Sequence, residues 1–164
     1  MTTLQPARPP FSLPFAGAAG QAAARRTHYL QPGQLLACLE PTSVTTILGS
    51  CVSVCLWDRR KCIGAINHYV LPHGYFDHEQ SLRCGPVAIA RLLEGMRALG
   101  CALGDLQAKL FGGAWVLAAP QREDHIGALN VRVARDELRR AGIAIAAEDV
   151  GGNRGRKIVF HSES

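Results

Sequence analysis

The chain has 164 residues, of which 48% are hydrophobic, and this composition predicts one globular domain rather than a disordered chain. The net charge of +5 comes with only 6% aromatic residues, which argues against nucleic-acid binding, because that function combines a clustered basic stripe with aromatic platforms. No apolar run reaches the roughly 18 residues that cross a bilayer. The Arg25-Arg26 pair follows the mildly apolar N-terminal stretch instead of preceding it, unlike a secretory signal. We therefore expect a cytoplasmic protein.

The first predicted segment, residues 1–27, is rich in proline and alanine without periodicity, and we expect a flexible tail followed by a single domain at 28–164. Alternating and β-branched residues then predict four strands, bounded by Gly, Pro and charged turns. These predicted strands are 35–39, 44–48, 51–57 and 62–71. A loop rich in His, Gly and Asp follows at 72–83.

Gly85-Pro86 predicts the start of a helix, because proline suits the first helical turn, and Gly100 predicts its end. A second helix is expected at about 126–141. The remaining strands are predicted at 106–111, 143–150 and 156–161. Strands and helices are mixed and include at least one hairpin, so we predict an α+β fold whose sheets are not purely parallel.

The six cysteines contain no CxxC pair, and the closest two, Cys51 and Cys55, lie four positions apart. A structural zinc site normally has two closely spaced ligand pairs, so we expect no metal. Without a secretory signal, reduced thiols are the expected state. Most of these cysteines are expected to pack as small apolar residues.

The hairpin after Cys51 gives the first indication of chemistry. If its turn is symmetric about Arg59-Arg60, Cys51 lies directly opposite His68, with Cβ atoms roughly 4.5 to 5.5 Å apart. An imidazole at that distance can accept the proton of a thiol, whose ordinary pKa of about 8.5 otherwise keeps it protonated. The Gly49-Ser50 turn could direct backbone amides toward an oxyanion.

Other interpretations of these residues stay open at this stage. Cys51 and His68 could be packed core residues, and Cys84 with His73 or His78 forms a competing pair in a loop. Asn67 could be structural or touch a substrate. The glycines at 112–113 and 151–153 could line a substrate channel or simply form tight turns.

Several motifs, in order, resemble the CheD family of chemoreceptor glutamine deamidases. They begin with TTILGSCVSVCLWD at 45–58 and IGAINHYVLP at 63–72. The later ones are FGGA at 111–114, IG with a following Asn at 126–130, and AEDVGGNRGR at 147–156. Departures are a cysteine at 84, where relatives often carry tyrosine, and an unusual segment at 115–124.

The resemblance implies an enzyme that hydrolyses the side-chain amide of selected glutamines in methyl-accepting chemotaxis receptors, releasing ammonia. It implies Cys51 as nucleophile, His68 as base and Thr45 as the residue that orients the imidazole, with Thr46 as the alternative hydroxyl. It implies no cofactor, and a fold like that of cytotoxic-factor-type cysteine deamidases, with mixed sheets packed face to face and helices outside. The receptor cytoplasmic region is the implied substrate, and a CheC-like phosphatase is a possible partner.

Two other functional classes remain as alternatives at the level of sequence. A non-catalytic adaptor that binds receptors or CheC would retain the motifs without releasing ammonia. A thiol-based redox sensor would form a reversible disulfide between Cys51 and Cys55 or Cys62.

Overall fold

The computed structural model describes residues 25–74, 81–117 and 124–164, so most of the predicted tail lies outside the described residues. The first strand nevertheless begins at Arg26, just inside the segment predicted as tail. The strands are β1 (Arg26–Tyr29), β2 (Gln34–Cys38), β3 (Thr42–Leu48), β4 (Val52–Asp58), β5 (Ile63–His68), β6 (Leu106–Gly112), β7 (Ala144–Val150) and β8 (Arg156–His161). The helices are α1 (Gly85–Ala98) and α2 (Ile126–Arg140), and a short 3-10 turn spans Leu103–Asp105.

The strands form two mixed sheets. A three-stranded sheet has the order β1-β3-β8, and a five-stranded sheet has the order β2-β5-β4-β6-β7. Each sheet contains one parallel pair, β1 with β3 and β6 with β7, while the other pairs are antiparallel. The prediction of an α+β fold with mixed sheets is confirmed.

The five-stranded sheet is the middle layer of the molecule. Both helices pack on one of its faces, where Val52, Val54 and Leu56 of β4 join the main apolar core. The alternate residues of β4 and β5 point the other way, and Cys55 and Ile66 pack there against the three-stranded sheet. The molecule therefore has helices on one outer side and face-to-face sheets on the other, as predicted. Within the described ranges, no helix is both long and apolar enough to span a membrane.

The turn between β4 and β5 is longer than predicted. Asp58 pairs with Ile63, which leaves the four residues 59–62 in the turn instead of two. The Asp58 carboxylate accepts hydrogen bonds from two turn amides, at 2.9 and 3.1 Å. Cys62 closes the turn in the left-handed region, with φ of 54°. These local interactions stabilise the longer turn and set the register of the hairpin.

The predicted direct opposition of Cys51 and His68 is therefore wrong. The bridge between Val52 and Tyr69 keeps the same register at the far end of the hairpin, which puts Ser53 opposite His68. Cys51 precedes Ser53 by two positions and lies in the loop just before β4. Since side chains alternate faces with a period of two, continuing this register to Cys51 would make it a diagonal neighbour of His68 on the same face. Diagonal neighbours of this kind lie roughly 7–8 Å apart, still within reach of long side chains.

Candidate active site

Cys51 is half-buried in the loop 49–51, which joins the three-stranded sheet to the five-stranded sheet. Burial raises the pKa of its thiol, and this effect is opposed by the residue's own backbone amide and by the positive charge of Arg83. The resting sulfur is thus protonated at neutral pH and needs a base before it can attack a carbonyl.

The loop is held by the glycine turn that follows β6. The amide of Gly113 donates to the carbonyl of Cys51 at 2.9 Å, and that of Ala114 donates to Gly49 at 2.8 Å. Gly112 passes so close that an added Cβ would lie 2.1 Å from the Cys51 carbonyl oxygen, and its φ of 111° also favours glycine. The first glycine segment therefore forms a tight turn against the nucleophile loop.

Asn130 of α2 holds the middle of the same loop. Its fully buried side-chain amide donates to the carbonyl of Ser50 at 3.0 Å and to that of Val70 at 2.9 Å. The Tyr69 hydroxyl in turn donates to the backbone carbonyl of Asn130 at 2.6 Å. The sequence motif contained Asn130 without giving it a role. A polar residue on the buried face of a helix was the available signal, because a buried amide needs hydrogen-bond partners.

Arg156 links the two sheets next to this turn. Its guanidinium donates to the carbonyls of Gly112 at 2.6 Å and Gly151 at 2.8 Å. The Gly151 amide also donates to Gly112. The two glycine segments are thus bridged by one mostly buried arginine, a role that the sequence did not reveal.

His68, at the end of β5, is buried between the two sheets with 2% of its surface exposed. Its Nδ1 lies 2.8 Å from the hydroxyl of Thr46 on β3. That hydroxyl donates its single proton to the carbonyl of Leu30 at 2.9 Å, so it can only accept from His68. The hydrogen-bond network therefore assigns the proton of the neutral imidazole to Nδ1 and leaves Nε2 as the acceptor.

The remaining nitrogen of His68 has the properties of a base. Nε2 is buried and has no hydrogen-bond partner among the described residues. Burial lowers the pKa of the imidazole; the carbonyl of Leu30 opposes this shift, and the charge of Arg83 adds to it. At neutral pH the ring is therefore uncharged and can accept a proton.

The contact expected of Thr45 is made by Thr46. In β3 the residues at 44, 46 and 48 are fully buried toward the five-stranded sheet, whereas Thr45 is half-exposed on the opposite face. There it pairs with Tyr29 on one side and Val159 on the other. Thr45 thus lies on the face of β3 that points away from His68, and of the two adjacent threonines Thr46 contacts the imidazole.

The other candidate residues fall outside this arrangement. Asn67 is fully buried, and its Oδ1 accepts from the Val54 amide at 2.8 Å, which supports the structural interpretation. Cys84 is buried at the start of α1, with its thiol pKa raised by burial. The pairing of Cys84 with His73 stays a prediction, and His78 lies outside the described residues. No cluster of metal-ligating side chains occurs in the described part of the chain.

Comparison with known proteins gives consistent matches. A family model described as CheD chemotactic sensory transduction matches residues 70–164. The chain is 41% identical over 161 residues to the probable chemoreceptor glutamine deamidase CheD 1 of Anaeromyxobacter dehalogenans, covering 98% of this chain and 94% of that protein. It is 44% identical over 134 residues to the probable chemoreceptor glutamine deamidase CheD of Rhodospirillum rubrum, covering 82% and 76%.

Among solved structures, the chain is similar to the Bacillus licheniformis hypothetical protein YfiH. The sequence identity is 18% and the TM-score 0.47, with 70% of this chain and 49% of that chain covered. The family-model match begins after His68, whereas the alignment with the Anaeromyxobacter protein spans nearly the whole chain.

Proposed function

Since this chain belongs to the CheD family, we propose that it is a chemoreceptor glutamine deamidase with Cys51 as nucleophile and His68 as general base. The observation that carries the proposal is the pair of bonds made by the Thr46 hydroxyl. Because these bonds fix the proton on Nδ1, the opposite nitrogen of His68 is left to accept the thiol proton in the proposed reaction.

The reaction starts from two uncharged groups, since burial raises the pKa of Cys51 and lowers that of His68. As the sulfur attacks the amide carbon of glutamine, its proton passes to Nε2 and a carbon–sulfur bond forms. The imidazolium then gives that proton to the amide nitrogen, the carbon–nitrogen bond breaks, and ammonia leaves a thioester. Water attacks the thioester while Nε2 takes its proton. The carbon–sulfur bond breaks, the sulfur regains a proton, and glutamate is released.

Thr46 serves as a positioning residue in this scheme. When Nε2 takes a proton, the ring becomes a cation, and its Nδ1–H bond to the Thr46 hydroxyl strengthens. A hydroxyl supports the cation less than a carboxylate would. The bond to Leu30 holds the hydroxyl in the accepting orientation throughout the cycle.

The nucleophile loop supplies an oxyanion site in the same proposal. The carbonyls of Gly49, Ser50 and Cys51 all accept hydrogen bonds from the surrounding turn and from Asn130. Among the described residues, the backbone amides of Ser50 and Cys51 donate to no backbone carbonyl. These amides are the donors that could stabilise the negative oxygen of the tetrahedral intermediate.

The test is deamidation of a purified receptor cytoplasmic fragment from the same organism, followed by ammonia release and by the mass gain of about one dalton per glutamine that hydrolysis of an amide to an acid produces. Cys51→Ala and His68→Gln are expected to abolish both signals. Cys62→Ala is the matched control, because this thiol is exposed in the turn at 59–62. Ammonia release that persists in Cys51→Ala would reject the cysteine mechanism. Binding of the fragment without ammonia release by the wild-type protein would favour an adaptor.

The family resemblance also extends the proposal to location and partners. The substrate is the cytoplasmic region of a methyl-accepting chemotaxis receptor, and the enzyme acts in the cytoplasm. A CheC-like phosphatase is proposed as a regulatory partner. Co-purification of tagged protein with the CheC of the same organism tests that partnership, and absence of a complex at micromolar concentrations would remove it.

A further inference from the structure

Arg83 is an exposed arginine that the proposed mechanism does not use. Its backbone carbonyl accepts hydrogen bonds from the amides of Val70 and Leu71, both at 2.9 Å, directly after the strand that carries His68. The side-chain amide of Asn130 donates both to the carbonyl of Val70 and to that of Ser50 in the nucleophile loop. Hydrogen bonds through Val70 and Asn130 therefore connect the backbone of Arg83 to the loop that holds the nucleophile.

The side chain of Arg83 packs against the loop between β1 and β2. Its Cγ packs over Gly33, where an added Cβ would lie only 2.9 Å away, and φ of 81° independently favours glycine there. The Gly33 amide donates to the carbonyl of His68 at 2.7 Å. The aliphatic part of Arg83 therefore lies beside the glycine whose amide binds the His68 carbonyl. Burial raises the pKa of the Cys51 thiol and lowers that of His68, and the positive charge of Arg83 opposes the first shift and adds to the second.

This cation has no protein counter-charge in the described ranges. Other arginines pair with carboxylates, for example Arg135 with Glu148 and Arg156 with Asp149. No carboxylate from residues 25–74, 81–117 or 124–164 pairs with Arg83. An exposed guanidinium that pairs with no carboxylate of the described residues presents a planar set of donors that matches a carboxylate geometrically.

We propose that Arg83 is a specificity-determining residue that binds a carboxylate of the substrate next to the target glutamine. The proposal rests on the deamidase function above. An exposed ion pair contributes little in water, but a bound protein segment excludes solvent and strengthens the pair. Glutamines that have an acidic neighbour at the matching position are then deamidated in preference to glutamines that have none.

The test uses short peptides with one central glutamine in an alanine and serine background, in which a single glutamate is moved through the flanking positions. With wild-type protein, one position is expected to raise kcat/KM about five- to tenfold over the peptide with alanine there. The preference should disappear in Arg83→Gln, remain in part in Arg83→Lys, and pass to the matching lysine peptide in Arg83→Glu. Arg97→Gln is the control, since Arg97 is exposed at the end of α1, on another element.

Two results would overturn the proposal. One is an equal loss of rate in Arg83→Gln for the glutamate and alanine peptides, which would mean that Arg83 acts only on the reacting groups. The other is a glutamate preference that survives Arg83→Gln.

Peptide binding to Cys51→Ala, followed by fluorescence anisotropy, separates this proposal from the proposed function. If the wild-type protein releases no ammonia but Cys51→Ala still prefers the glutamate peptide through Arg83, the deamidase function fails and the recognition role stands. Equal binding of both peptides rejects the recognition role whatever the activity.

Discussion

Replacing Thr46 by valine tests the geometry of the site most directly. Valine keeps the shape of the side chain but removes the hydroxyl that accepts from His68 and donates to Leu30. The carbonyl of Leu30 and the Nδ1–H group then both lose the Thr46 hydroxyl as a hydrogen-bond partner in a buried site. A buried group left unsatisfied costs about 1–3 kcal/mol, so we expect a lower free energy of unfolding.

The same substitution should slow catalysis. Without an acceptor at Nδ1, the neutral ring is free to carry its proton on Nε2, where it cannot accept the thiol proton. If the lost bond contributed about 1–3 kcal/mol to the transition state, kcat falls about 5- to 150-fold. Thr46→Ser keeps the hydroxyl and should retain most of the activity.

Thr45→Val is the matched control, because Thr45 lies on the opposite face of β3. We expect its activity and stability to stay close to those of wild type, within about 0.5 kcal/mol in stability. The assay is ammonia release from a receptor fragment at saturating concentration, with urea unfolding of each variant. Loss of activity in Thr45→Val together with full activity in Thr46→Val would refute the arrangement described here and restore the assignment from the family pattern.

Three further predictions concern pH and packing. The pKa of His68 is lowered from 6.5, so the rate should rise with pH on an acidic limb whose midpoint lies below 6.5. The unfolded chain binds this proton more readily than the folded chain. The stability conferred by the neutral ring is therefore complete above about pH 6.5 and is lost as pH falls through the lowered pKa. Urea unfolding of wild type and His68→Gln across that pH range measures the difference in the free energy of unfolding. Gly113→Ala should lower the temperature of thermal unfolding far more than Gly142→Ala. The two glycines have nearly the same φ, 70° and 71°. An added Cβ at Gly113 would lie 2.3 Å from Val131, whereas one at Gly142 has no atom within 4 Å. Asn130→Leu leaves two loop carbonyls unsatisfied and should reduce stability by about 2–4 kcal/mol, with a lower kcat at unchanged fold by circular dichroism.

Local signals predicted most of the secondary structure. The start of α1 at Gly85 follows from Gly-Pro chemistry, and β8 has the predicted limits, Arg156–His161. β1 was missed because its four residues are all exposed and show no alternation. The predicted hairpin turn was two residues shorter than the observed one. Hydrogen bonds from backbone amides to the Asp58 side chain stabilise the longer turn, and they depend on geometry that residue types do not reveal.

By itself, the sequence identified Cys51 and His68 at the open end of one hairpin. Their placement on one face stays a prediction, which an error of two residues in the register does not change. The sequence could not choose between Thr45 and Thr46. Apolar residues occur on both faces of β3: Leu48 is buried on one face, and Ile47 is 57% exposed on the other. Only the packing of one sheet on the other decides which face of β3 points inward. The partner of the imidazole lies in the opposite sheet, and contacts between sheets depend on the tertiary structure rather than on local pattern.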